Sequence, residues 1–196
     1  CIDLVFPDKV STSIISANWL ISADEIELKN KADLYSRDIG LFSQMACSSP
    51  SSLILLNDCK DDFSEYLLNF FQKCDSLLSR KEWLSEMHAL SNFKSSIDIC
   101  MQFPNLNCIY KGQNLSAFFL EKSDFEEVSV HKPKDTCLFV YVVDALDEVS
   151  SLISKNNQTM VCIGLKKEVK DLLAKKIMIK GINRVVNVGN ALNMNI

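Results

Sequence analysis

Glycine is scarce. The 196-residue chain has 5 glycines, at Gly40, Gly112, Gly164, Gly181 and Gly189. None falls into a GxGxxG or Walker-type spacing, so the chain carries no familiar phosphate cradle. No GxSxG elbow occurs, which argues against an ordinary serine hydrolase. Histidine is scarcer still, with only His88 and His131. The 8 cysteines are scattered, with no CxxC pair and no Cys/His cluster at zinc-ligand spacing. No metal site is expected, and free thiols point to a reducing, cytoplasmic setting. No apolar run is long enough to span a bilayer, and no signal peptide opens the chain. A basic excess is lacking too. The net charge of -4 argues against a nucleic-acid partner.

What is present suits one globular domain with a sizeable core: 47% of residues are hydrophobic and 23% charged. Both ends read as cuts in a longer protein. The chain opens at Cys1 in a strand-like run, "IDLVF", and stops after "RVVNVGNALNMNI" without a polar tail.

The pattern reads as an α/β fold. "STSIIS" and "SSLILLND" are strands around a helix, "SADEIELKNKADLYSRDIGLF", for which Ser22 is the expected N-cap and Glu25 its capping-box partner. Two long helices follow. Phe63, Leu67, Phe70, Cys74 and Leu78 keep helical spacing, as do Trp83, Met87, Leu90, Ile97 and Met101, and Pro104 ends the run. Both stripes read as core faces rather than ligand sites. "CIYKG" and "LSAFFLEK" look like strands. "LFVYVV", "DALDEVSSLISKN", "QTMVCIG", "LKKEVKDLLAKKIMIKG" and "RVVNV" then alternate strand and helix, with Asp144 as an N-cap and Gly181 as a stop. That alternation implies a largely parallel sheet flanked by helices. The Lys-rich helix reads as a solvated face rather than a DNA or membrane patch.

Cys47 stands out among the thiols. Cys137 and Cys162 lie in apolar runs, where cysteine is a small hydrophobe. Cys47 lies in "QMACSSP", between small residues. Small neighbours leave room for an electrophile, and a helix-to-strand turn can aim N–H groups at an oxyanion. Serine hydroxyls can favour a thiolate, and a thiolate leaves readily once an intermediate collapses. On residues alone, a nucleophile and a packed thiol both remain open. His88 reads as structural and His131 as a solvated loop residue.

"RDIGLFSQMACSSPSSLIL" resembles the active-site segment of the long-chain acyl-CoA reductase family (LuxC, the bacterial fatty-acid reductase), a branch of the aldehyde dehydrogenase superfamily. Arg37, Asp38, Gln44, Cys47, Ser48, Ser49 and Pro50 match its pattern. "VYVVDALDEVSSLISKNNQTMVCIGL" and "GINRVVNVGNALNMNI" resemble two later elements of the family.

The resemblance implies an aldehyde dehydrogenase-like catalytic domain over residues 1–196. The NADPH-binding domain would precede Cys1, and no cofactor-binding residue is assigned within the chain. It also implies that Cys47 takes the acyl group from acyl-CoA or a partner acyl-protein synthetase. The thioester would then be reduced by hydride to a long-chain aldehyde, with the fragment inactive alone. Gln44, Ser48 and Ser49 would support substrate or oxyanion, or would only shape the turn. Arg37 and Asp38 read as a structural ion pair. Glu86 and His131 are the candidate bases. An acyl carrier or acyltransferase without reduction, and a non-catalytic interaction domain, are the alternatives. Homo-oligomerisation is left open.

Overall fold

The computed structural model describes residues 9–59, 61–81, 84–121, 125 and 131–193. The expected strand "IDLVF", Cys1 and Trp83 lie outside them. One seven-stranded sheet organises the chain: β1 (Val10–Ser16), β2 (Pro50–Leu56), β3 (Asn107–Lys111), β4 (Ser116–Phe119), β5 (Cys137–Val143), β6 (Asn157–Ile163) and β7 (Arg184–Asn187). The strand order is β3-β4-β5-β2-β1-β6-β7, and only the β3–β4 pair is antiparallel. The expected largely parallel sheet is therefore present. β2 is its central strand.

The central strands are apolar on both sides because helices cover both faces. In β1, Ile15 faces one core and Ile14 the other. The first core is closed by α1 (Ala17–Ser22), α2 (Glu25–Gly40) and α3 (Ser64–Leu78), through Leu20, Tyr35, Ile39, Phe70, Phe71 and Leu78. Phe70 joins both Tyr35 and Trp19 in ring contacts. Full burial of each such side chain contributes about 1.5–3 kcal/mol. The second core is closed by α4 (His88–Gln102), α5 (Leu146–Val149) and α6 (Lys167–Met178), through Ile99, Val149, Leu173 and Ile177.

Local signals were partly displaced. Asp24, not Ser22, caps α2 by accepting from Glu27 N, while Ser22 closes α1. A carboxylate two positions nearer the helix wins the cap. α5 begins after Ala145 with no side-chain cap. Asp144 Oδ1 instead accepts from Asn57 Nδ2 at 2.9 Å. Gly181, with φ +121, follows the end of α6 as expected.

The larger correction concerns α4. Its apolar stripe faces outward: Met87, Leu90, Ile97 and Met101 are 60%, 57%, 43% and 77% exposed. The buried side is mostly polar, with His88, Asn92, Ser95 and Ser96 beside Ile99. Periodicity defines a face but not the side on which it packs. Here the side is set by hydrogen bonds. Asn92 Nδ2 donates to Asp135 O at 2.7 Å, and Asn92 Oδ1 accepts from Lys111 and Ser116. Ser95 Oγ donates to Asp135 Oδ2 at 2.7 Å. His88 Nε2 meets Thr136 Oγ1 at 2.9 Å. Leu90→Ser and Met101→Ser should therefore each shift the unfolding free energy by less than about 0.5 kcal/mol in urea titrations. Core positions would lose about 2–5 kcal/mol on truncation.

Candidate active site at the Cys47 turn

The turn that carries Cys47 lies at the amino end of β2, in the middle of the sheet. After α2 the chain makes one 3-10 turn, Leu41–Gln44. Phe42, Ser43 and Gln44 are all left-handed, with φ of 55°, 49° and 64°. None is glycine. Such residues cost about 1–3 kcal/mol each and persist only where the surroundings over-determine them. Those surroundings are visible. Asp135 N donates to Ser43 O at 3.2 Å. Lys132 Nζ donates to Met45 O and Ala46 O at 3.3 and 3.1 Å. Gln44 is fully buried, and its Nε2 donates to Pro50 O at 2.7 Å and to Cys137 O at 3.0 Å.

A β-turn follows, closed by Ser49 N donating to Ala46 O at 3.0 Å. Cys47 and Ser48 are its two corners. The Cys47 carbonyl is anchored by Ser11 Oγ at 2.7 Å, while the residue itself is exposed as a free thiol. Among the described residues, the Cys47 and Ser48 N–H groups enter none of the backbone hydrogen bonds of the turn. They are the donors an oxyanion at this corner would need. Ser48 Oγ, Ser49 Oγ and Gln44 Oε1 are buried and have no partner among the described residues. Buried polar atoms are normally paired, so these three set the turn apart from the rest of the core.

The other thiols differ. Burial pushes Cys74 up beyond the usual thiol range, and Cys137 and Cys162 up to about 12. These three are packing residues. Cys59 is half-buried, and Cys100 and Cys108 are exposed on α4 and β3, away from any comparable turn.

Arg37 and Asp38 are not a pair. The described ion pairs are Lys73–Glu25, Lys81–Asp33 and Lys176–Asp147. Adjacent residues of a helix point apart, and Arg37 is exposed. Asp38 points inward and accepts from Gly189 N at 2.6 Å and Ala191 N at 3.1 Å, which ties α2 to the C-terminal loop. Burial pushes its carboxyl up to about 6, against those two donors and the charge of Arg37. The folded state thus holds the Asp38 proton more tightly than the unfolded chain. Its stabilisation is full below about pH 4 and is lost as pH rises through about 6. The unfolding free energy from urea titrations should fall by about 2–3 kcal/mol over that window, and Asp38→Asn should flatten the slope.

His131 stacks edge-on against Phe103, with centroids 4.8 Å apart. It lines a cleft of about 220 Å³ with Ser95, Gln102, Phe103, Lys132 and Lys134. Lys132 joins that cleft to the Cys47 turn. Glu86 is exposed before α4. Neither candidate base hydrogen-bonds Cys47 among the described residues. His88, whose pKa burial lowers, belongs to the polar layer under α4. Lys132 and Ser11 carried no sequence signal, because their partners lie 86 and 36 positions away. Among the described residues no His/Cys/Asp/Glu group could hold a metal ion. No helix there is long and apolar enough to cross a membrane.

The fold is aldehyde dehydrogenase-like. Lactaldehyde dehydrogenase from Escherichia coli aligns with a TM-score of 0.60 at 12% identity, over 96% of this chain and 40% of that one. An NAD-dependent aldehyde dehydrogenase from Burkholderia multivorans gives 0.59 at 14%, over 95% and 36%. A Cys-to-Ala variant of aldehyde dehydrogenase C from Pseudomonas syringae, solved with NAD+ and octanal, gives 0.57 at 10%, over 91% and 38%. This chain therefore spans about two fifths of their length. Among curated proteins, none matches the chain. The model of the LuxC acyl-CoA reductase family matches residues 1–195. The chain belongs to that family.

Proposed function

We propose that this chain is the thiol-bearing catalytic domain of a fatty acyl reductase, and that Cys47 carries the acyl group. The observation that supports it most is the Cys47 corner, an exposed thiol on a strained, externally fixed turn whose corner N–H groups enter none of the turn's backbone hydrogen bonds among the described residues. The Cys47 thiolate attacks the carbonyl carbon of an acyl thioester. The Cys47 and Ser48 N–H groups meet the oxyanion, and the buried Ser48 and Ser49 hydroxyls stand behind it as further donors. Collapse expels the thiolate of the donor and leaves the acyl group on Cys47. Gln44 and Lys132 keep the turn in place and touch no substrate.

Reduction to the aldehyde takes hydride from a nicotinamide cofactor. The described residues do not fit a whole dinucleotide beside Cys47. The cleft that Lys132 joins to the turn, about 220 Å³, is below the usual range of about 300–1,000 Å³ for ligand sites. We assign NADPH to a domain that precedes Cys1, so no hydride step is derived from these residues. The acyl donor is a long-chain acyl-CoA or an acyl-protein synthetase. The test uses the full-length protein with palmitoyl-CoA. Intact-mass spectra should show one acyl adduct on Cys47, discharged as aldehyde when NADPH is added. An adduct on another cysteine, or none, would overturn the assignment.

A further inference from the structure

The opposite end of the sheet from the Cys47 turn carries a cavity of its own. The helices that follow β1 and β2 pack on one face, and the segments that follow β5 and β6 pack on the other. β1 and β6 are neighbours. Their outgoing connections therefore part in opposite directions and open a crevice beyond their carboxyl ends. In open α/β sheets such a switch point is where ligands bind. A cavity of about 300 Å³ lies there, lined by Ser16, Trp19, Asp58, Gly164, Lys166 and Val169. β2 leads from the Cys47 turn to Asp58, and its seven residues at about 3.3 Å each place the cavity roughly 20 Å away. A ligand held there cannot react at Cys47.

The lining has a definite chemistry. Trp19 donates its indole N–H to Glu27 Oε1 at 2.7 Å, which fixes the ring, and the residue lines the cavity. The ring lies against Gly164, which has φ +70, at a place where a Cβ would collide with it. Leu165 and Val169 add apolar surface. Asp58 is fixed as well. Its Oδ2 accepts from Ser16 Oγ at 2.7 Å and its Oδ1 from Asn18 N at 2.9 Å. Each oxygen keeps a further lone pair, so the carboxylate can accept from two neighbouring hydroxyls. An acid placed after the second strand is suited to reading a ribose in this way. We propose that the crevice binds a ribonucleoside, with the flat heterocycle on Trp19 and the vicinal diol on Asp58. Lys166, at the rim, suits a nucleoside that carries phosphate.

Adenosine monophosphate is the probe, with the Trp19 indole N–H resonance of the intact protein as readout. Saturable shifts are expected at submillimolar ligand, and they should persist after Cys47 is alkylated. That persistence separates this site from the acyl chemistry. The dideoxyribose analogue, and Asp58→Asn with the parent ligand, should each bind about tenfold more weakly or worse. Asp58 also caps α1, so Val169→Trp, which fills the cavity from α6, is the second variant. It should abolish the shifts while Cys47 remains reactive. No shift up to about 10 mM ligand would overturn the proposal. So would equal binding of the analogue, or binding that survives Val169→Trp.

Discussion

Cys47→Ser should leave the fold intact and remove the acyl adduct, with aldehyde formation by the full-length protein down by at least about a thousandfold. The reason is chemical. A serine hydroxyl at the same corner is a far weaker nucleophile unless a base lies within reach, and neither His131 nor Glu86 hydrogen-bonds residue 47 among the described residues. The thermal midpoint should hardly move, because the Cys47 side chain is exposed and its carbonyl bond to Ser11 survives the change. The measurement is single-turnover acylation with palmitoyl-CoA beside a melting curve. Equal acylation of the serine variant would show that another residue is the nucleophile.

Gln44→Glu should be the most damaging single substitution in the turn. Gln44 Nε2 is a donor to two carbonyls, at Pro50 and Cys137. A carboxylate there would face both acceptors without a proton, in a fully buried position. The cost of an unpaired buried charge is about 3–5 kcal/mol. Gln44→Ala should cost about 2–4 kcal/mol, since it removes the donor shared by two strand carbonyls and leaves a cavity. Both variants should slow alkylation of Cys47 by iodoacetamide as the turn relaxes. A substrate-contacting role would behave differently. It would weaken turnover or substrate binding while urea midpoints and thiol reactivity stayed at wild-type values.

Much of this was legible in the residues. The alternation of apolar strands and helices after Cys137 gave the parallel sheet, and small polar neighbours set Cys47 apart. The misreadings share a cause. Met87, Leu90, Ile97 and Met101 do form one face, but nothing local says that Asn92, His88 and Ser95 have partners on β5 and beside it. Adjacency in sequence points Asp38 to Arg37, whereas its partners lie more than 150 positions away. The left-handed run at Phe42, Ser43 and Gln44 has no glycine to announce it. It is imposed by tertiary bonds, which a local pattern does not encode.

That imposed turn has a consequence for when the thiol matures. Gln44 is held by Cys137 and Ser43 by Asp135, about ninety positions downstream. During synthesis, at about 5–20 residues per second, β5 emerges several seconds after Cys47. Until then the turn lacks the Lys132, Asp135 and Cys137 partners that hold it, and of the Gln44 side-chain bonds only the one to Pro50 lies in the emerged chain. The nascent protein therefore does not present Cys47 on its strained corner before the sheet that positions that corner is complete.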